Sequence, residues 1–298
     1  MIVRHFDIKP PETQPPHEDG WEQSWQGFYG YHTMAKCESQ QAKAEWEERD
    51  RAERAKGQMN EGEFERDCFL TVLADIKREH VNMFELGAGW GRMCLTLAGV
   101  IDYGLTPLIP KSYRCLAVEG EPTHYQWAKE HFEIHNINGI VVHGAVSDKN
   151  GKCRFRVNRD PASCYGQNID SQSFLEMPNR HMLRRLISKI KGSVTVPMYT
   201  ADRLVQKYGF DHVDILQMDV QGAEDKVMLG AAESVKNDLI DYLLIGIHRR
   251  ELNDVLRQML SPKFDLIVDI YRESVGTMAG FPPISCHDGI QLYKRKNM

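Results

Sequence analysis

The sequence predicts an α/β fold in which a mostly parallel sheet carries helices on both faces. Apolar runs of strand length alternate with stretches of helical spacing over most of the chain, and the first such run ends in a glycine-rich turn, F-E-L-G-A-G-W-G at 84–91. Size agrees with this reading. At 298 residues with 42% hydrophobic side chains, the chain can bury one large core.

The elements follow in order. Residues 1–20 hold Pro10, Pro11, Pro15 and Pro16 among polar neighbours, which favours an extended arm. Trp21, Trp25, Phe28, Tyr29 and Tyr31, with His32, carry too much apolar surface to leave in water, so this segment is expected to pack on the main domain as a strap or a substrate lid. Residues 43–56 contain ten charged side chains in fourteen, five of each sign, with Glu45/Arg49, Glu47/Arg51 and Asp50/Arg54 spaced for a solvated helix. Phe69, Val72, Leu73 and Ile76 mark an amphipathic helix over 63–79. The chain thus divides into an N-terminal extension over 1–62 and a main domain over 63–298.

Within the main domain, strands are expected at 81–86, 113–118, 139–143, 153–157, 194–198, 213–218, 241–247, 264–270 and 290–293. Helices are expected at 92–98, 122–135, 179–191, 200–208 and 222–235, with a further one marked by Leu252, Val255, Leu256 and Met259. The helix over 179–191 turns five Lys or Arg outward without an acid, a solvated face or a basic cap over an anionic substrate.

Composition excludes some classes. With 37 basic and 42 acidic side chains the formal charge is −5, so no bulk attraction to nucleic acid or anionic membrane is implied. The seven cysteines are scattered and form no C-x-x-C pair, as expected of reduced thiols in a cytoplasm. Neither a signal peptide nor a membrane span is read in the chain. Self-association into a homo-oligomer is left open.

The glycine turn is the candidate cofactor site. Gly87, Gly89 and Gly91 let the backbone turn sharply and a ligand approach its amides. A dinucleotide fingerprint would place its third glycine at 92, where this chain has Arg92, which argues against NAD. Glu85 sets a carboxylate beside the turn, suited to an ammonium group and not to a pyrophosphate. The pattern E-x-G-x-G-x-G therefore suits S-adenosylmethionine.

Other polar residues at strand ends are expected to join it, because ligands of open α/β sheets sit beyond the carboxyl ends of the strands. Glu119 can accept hydrogen bonds from both ribose hydroxyls. Ser147 and Asp148 can bind the adenine amino group, although S-D-K-N-G is equally a turn sequence. Asp219 and His248 are the candidate bases for deprotonating an acceptor, His248 having the more suitable ordinary pKa at about 6.5. Glu224, in the first turn of a helix, reads equally as a cap, and His287 and Asp288 are weaker candidates. No tight metal-ligand spacing appears, and no obligatory metal is expected.

Three segments carry a family resemblance: E-L-G-A-G-W-G at 85–91, A-V-E-G-E-P at 117–122 with H-G-A-V-S-D at 143–148, and D-V-Q-G-A-E at 219–224. Over roughly residues 80–250 the chain resembles the FkbM family of S-adenosylmethionine-dependent methyltransferases. Two positions depart from the family pattern, which usually has Glu where this chain has Gln221 and an acid where it has Gly246. The resemblance implies a Rossmann-like class I methyltransferase fold with a seven-stranded sheet whose last strand is antiparallel. It also implies methylation of a hydroxyl on a small molecule of the sugar or natural-product type. Methylation of RNA or protein is the alternative, disfavoured by the net acidity, and a partner protein that has lost the chemistry is another.

Overall fold

The computed structural model describes residues 21–23, 29–31, 48, 51–52, 55–56, 59–104, 108–157, 161, 167, 169, 192–271, 284–285 and 288–298. The expected helix over 179–191 lies outside the described residues, as do most of the helix over 43–56, the aromatic side chains of 21–32, and His287. In the aromatic segment two short strands, β1 (Trp21–Gln23) and β2 (Tyr29–Tyr31), pair antiparallel.

Next in the described chain come β3 (Met59–Asn60) and α1 (Glu61–Asp75), which crosses the boundary expected at 62/63. Asn60 and Glu63 cap the helix reciprocally, the Asn60 side chain accepting from the Glu63 N–H at 2.9 Å and Glu63 accepting from the Asn60 N–H at 3.2 Å. There follow β4 (His80–Leu86), α2 (Arg92–Asp102), β5 (Ser112–Glu119), α3 (Pro122–Ile134) and β6 (Gly139–His143). Next come β7 (Ala145–Val146), β8 (Gly151–Arg156), β9 (Ser193–Tyr199), α4 (Ala201–Tyr208) and β10 (Val213–Met218). The chain ends with α5 (Glu224–Leu229), α6 (Ala232–Lys236), β11 (Ile240–Ile247), α7 (Arg250–Leu260), β12 (Phe264–Ile270), β13 (Ile284–Ser285) and β14 (Gly289–Arg295).

Seven of these strands form one sheet in the order β12-β14-β11-β10-β4-β5-β6. Strand β14 runs antiparallel to both neighbours and the remaining pairs are parallel, as the family resemblance implies. The interior strands are nearly continuous apolar runs because both faces are covered. Alternate side chains enter two cores: Met83, Cys115 and Ile215 meet Phe69, Leu73 and Leu97 of α1 and α2, whereas Phe84, Leu116 and Leu216 meet Leu204, Val227 and Leu256 of α4, α5 and α7. At the amino ends of the strands, Arg78 bridges Asp214 (2.5 Å) and Asp241 (2.8 Å), and Arg295 reaches Asp241 at 2.8 Å.

Two helices differ from expectation. The helix expected over 63–79 starts at Glu61 and stops at Asp75, because Ile76 takes an extended conformation (φ −66°, ψ 129°) and the chain must reach Arg78 and its acids before β4 begins. The single helix expected over 222–235 is two, interrupted at Gly230. A Cβ there would overlap the Ser147 carbonyl, and the Gly230 carbonyl accepts the Asp202 N–H at 3.0 Å. Asp202 then caps α6 from α4, accepting from the N–H groups of Glu233 (3.0 Å) and Ser234 (2.8 Å).

This contact separates two glycines by mechanism. Gly209 ends α4 with φ +65° and nothing within 4 Å of a added Cβ, so Gly209→Ala should cost only the left-handed strain, about 1 kcal/mol. Gly230→Ala forces backbone apart and should cost about 2–3 kcal/mol. Urea unfolding of both variants would show it; equal losses would mean that the Ser147 contact does not hold the helix break.

Candidate active site

Strand β4 lies between β5 and β10, and the chain proceeds outward from β4 to β5 and from β10 to β11, in opposite directions. Such a switch point opens a crevice beyond the carboxyl ends of the strands. Here the loop after β4 turns through Gly87 (φ +78°) and Gly89 (φ +56°). The N–H groups of Gly87 and Ala88 both donate to the Val118 carbonyl, at 2.9 and 3.0 Å, and the Asp219 N–H donates to the Leu86 carbonyl at 2.9 Å. A Cβ on Gly87 would overlap the Asp219 carbonyl, so only glycine lets the two loops meet. Beside them lies a cleft partly open to solvent, lined by Gly87, Gly89, Glu119, Phe155, Asp219 and Gln221 among others.

Glu119 lines the cleft and is buried. One carboxylate oxygen accepts the Gly89 N–H and the other the Glu121 N–H, each at 2.7 Å. Burial pushes its pKa up to about 7; the Glu121 and Gly89 N–H bonds oppose the rise and the Glu121 charge adds to it. The Gly120 N–H also bonds the carboxylate, which keeps acceptor capacity for a ligand hydroxyl.

Four of the sequence-predicted binding residues are elsewhere. Glu85 is buried with its carboxylate turned to the start of α2, where it accepts the N–H of Met93 (2.9 Å) and of Cys94 (2.8 Å). It satisfies helix-end donors and does not line the cleft, contrary to the ammonium-binding expectation. Gly91 (φ +83°) precedes α2 and packs against Phe132, again off the cleft lining. Ser147 is buried, its carbonyl against Gly230, its N–H donating to the Tyr199 carbonyl at 2.9 Å. Asp148 is exposed and accepts the Ser147 hydroxyl at 3.1 Å. The chain leaves the cleft after Ala145 and Val146 because β7 pairs with β9, which carries Ser147 and Asp148 away from the expected adenine contact.

At the other end, Asp219 and Gln221 line the cleft and lead to a charged cluster. The His248 ring is clasped from both sides: Nε2 lies 3.1 Å from Asp219 Oδ1, and Nδ1 lies 2.8 Å from Glu224 Oε1. Asp288 Oδ2 stands 3.7 Å from Nε2. Gln221 Nε2 donates to Asp219 at 2.9 Å and sits 2.8 Å from His248 Nε2. Burial disfavours the imidazolium, but hydrogen bonds and charge from Asp219 and Glu224 outweigh it and raise the His248 pKa to about 11. Asp219, partly buried yet bonded to His248 and Gln221, is held below the usual carboxylate range. The two flanking carboxylates thus favour the protonated ring, with Asp219 as a hydrogen-bond acceptor. A protonated ring is a poor proton acceptor, whereas the sequence reading preferred His248 to Asp219 as the base for its ordinary pKa.

Both departures from the family pattern border this cluster. Gln221 adopts φ +57°, a left-handed conformation that a non-glycine residue holds only when its surroundings fix it. A Cβ on Gly246 would lie 3.5 Å from His248 Cε1 and 3.7 Å from Asp219 Cγ, so a side chain there would enter the cluster.

Sequence reasoning missed His124, Phe155, Gln167 and Ile169, all of which line the cleft. The motif after Glu119 could have flagged His124, one turn into α3. Phe155 and Ile169 meet through an isolated bridge between segments that read as an ordinary strand and an irregular stretch. Among the described residues, His212, Asp214 and Asp241 lie close enough to share a metal ion, but at the far end of the sheet, where Arg78 and Arg295 already hold the carboxylates.

A Rossmann-like sheet with a glycine turn and a buried acid on the second strand defines a class I methyltransferase fold. The chain belongs to the FkbM methyltransferase domain family, whose model matches residues 108–270, more than half of it. The 2-O-methyltransferase NoeI of Sinorhizobium fredii is 26% identical over 98 residues, 33% of this chain and 40% of that protein. The match thus spans well under two thirds of the relative. Among solved structures, an rRNA methylase from Streptococcus thermophilus is similar with a TM-score of 0.40, 10% identity, and coverage of 77% of this chain and 95% of that one. TrmK of M. capricolum in complex with S-adenosylhomocysteine is similar with a TM-score of 0.37, 11% identity, and coverage of 77% and 68%. No helix among the described residues is long and apolar enough to cross a membrane.

The new position of Glu85 is open to test. Glu85→Gln turns an NH₂ group toward one of two buried N–H donors, which should cost about 1–3 kcal/mol in urea unfolding. An unchanged unfolding midpoint would show that the carboxylate does not cap α2.

Proposed function

We propose that this chain is an S-adenosylmethionine-dependent methyltransferase that transfers a methyl group to a hydroxyl oxygen of a small, uncharged acceptor such as a sugar or natural product. One observation carries the reading: a single cleft at the switch point joins the buried Glu119 to the Asp219 and His248 cluster. The residues present fit the cofactor. Glu119 has acceptor sites left for two ribose hydroxyls, Val118, Val146, Phe155 and Ile169 offer apolar surface to adenine, and Gly87 and Gly89 leave the backbone bare. The family and the name of the 26%-identical relative support methyl transfer to oxygen.

When bound, S-adenosylmethionine supplies a methyl group on a sulfonium centre that leaves as a neutral thioether. The chain's own residues must align the acceptor, exclude water and receive a proton. As the new carbon–oxygen bond forms, the acceptor hydroxyl becomes oxonium-like and strongly acidic, so a carboxylate suffices to take its proton. Asp219 is that carboxylate. His248, held cationic beside it, keeps the side chain oriented and balances its charge. Asp219, Glu224 and Asp288 surround one imidazolium, which favours an uncharged acceptor and opposes the polyanionic backbone of RNA.

The assignment of Glu119 predicts a pH dependence. Ribose hydroxyls donate to the ionised carboxylate, and its pKa in the empty cleft is about 7. Affinity for S-adenosylhomocysteine should therefore rise about tenfold from pH 6 to pH 8, and Glu119→Gln should bind more weakly with a flat profile. A wild-type profile as flat as the variant's would remove Glu119 from the site. Asp219→Asn should lower kcat by about a hundredfold with the S-adenosylhomocysteine Kd little changed; full turnover would assign the base elsewhere. Turnover is also expected to survive a chelator, and loss that magnesium restores would contradict a metal-free reaction.

A further inference from the structure

We infer that Glu224 is a positioning residue for the methyl-transfer site, holding the Nδ1 proton and the orientation of the His248 ring from inside the core. The inference rests on the methyltransferase reading for its purpose, but on the side-chain geometry for its content. Glu224 is fully buried, in the first turn of α5. Its Oε1 accepts two hydrogen bonds, from the Gly222 N–H at 2.9 Å and from His248 Nδ1 at 2.8 Å. Its Oε2 has no partner among the described residues.

A helix-capping role alone does not account for this arrangement. A first-turn Glu that merely complements a helix end can do so from the surface, where its charge stays hydrated. Burying a carboxylate with one oxygen unbonded is costly unless a charge of opposite sign stands against it. The imidazole provides that charge, and its side chain is only 10% exposed. With Nδ1–H donating to Glu224, the ring must present Nε2 to Asp219, Gln221 and Asp288 at the cleft. The same loop controls both partners. Gly222 (φ +97°) turns the chain between Gln221 and α5, and the Arg249 guanidinium donates to the Gly222 carbonyl at 2.7 Å, fastening the loop to the residue after His248.

The groups facing His248 are therefore Asp219 and Gln221 from the loop after β10, Glu224 from α5, and Asp288 before β14. Glu224 is the one on Nδ1. Its removal should change the state of the ring while leaving the Glu119 end of the cleft intact.

The test is nitrogen-15 NMR of histidine-labelled full-length protein, with the His248 signals identified by their loss in His248→Gln. In the wild type, His248 should carry a proton on Nδ1 throughout pH 6 to 9. In Glu224→Gln the ring pKa should fall by about two units or more, so that the ring titrates within that range, whereas S-adenosylhomocysteine affinity should stay within about twofold. With turnover, kcat should drop tenfold or more at unchanged cofactor KM, with an altered pH profile, and Glu224→Asp should recover the charge effect in part. A folded Glu224→Gln whose His248 titrates as in the wild type would overturn the inference. So would a wild-type His248 that is neutral with its proton on Nε2, a result that needs no variant to fold. Absence of S-adenosylhomocysteine binding to the wild type would sink the methyltransferase reading instead, and the NMR result would still decide the Glu224–His248 contact.

Discussion

The carboxyl edge of the sheet depends on the approach of the Gly87 backbone to that of Asp219. Because Gly87 has no Cβ, the loop after β4 and the loop after β10 close on each other, and each brings one half of the site. The first loop carries Gly89, whose N–H is tied to Glu119 at the end of β5. The second carries Asp219, Gln221 and, through Gly222, Glu224. The Glu119 end and the Asp219 end of the cleft are thus two consequences of one backbone contact, beside which Gln221 takes a left-handed conformation.

Charge is treated differently at the two ends of the strands. At the amino ends, Asp214 and Asp241 are answered by Arg78 and Arg295, and His212 adds a bond to Asp241 at 2.7 Å. That network fastens the sheet and leaves its carboxylates occupied. At the carboxyl ends three carboxylates face one histidine, so acceptor capacity is left over for substrate. Excess acid gathered around a cleft is the arrangement on which the proposed function rests.

Legibility in the sequence followed locality. The strands expected at 139–143, 213–218 and 264–270 appear with those bounds, because apolar runs bordered by turn residues define buried strands by themselves. Glu119 and Asp219 were readable because each is the polar residue that closes such a run. What failed needed tertiary knowledge. The break at Gly230 comes from Ser147 and Asp202, remote in sequence. Glu85 stands at a strand end as predicted, but whether a carboxylate faces the ligand or the helix amides depends on how α2 docks. Ser147 and Asp148 were misplaced by the pairing of β7 with β9. The preference for His248 as base assumed its ordinary pKa, which two acids contributed from different elements raise.

The most direct measurement is the crystal structure of the full chain with S-adenosylhomocysteine bound. The account predicts ribose hydroxyls within hydrogen-bonding distance of the Glu119 carboxylate, adenine against Val146 and Phe155, and the sulfur directed toward the side of the cleft where Asp219 and His248 meet. A ligand seated away from Glu119, or with its sulfur directed away from Asp219, would contradict it.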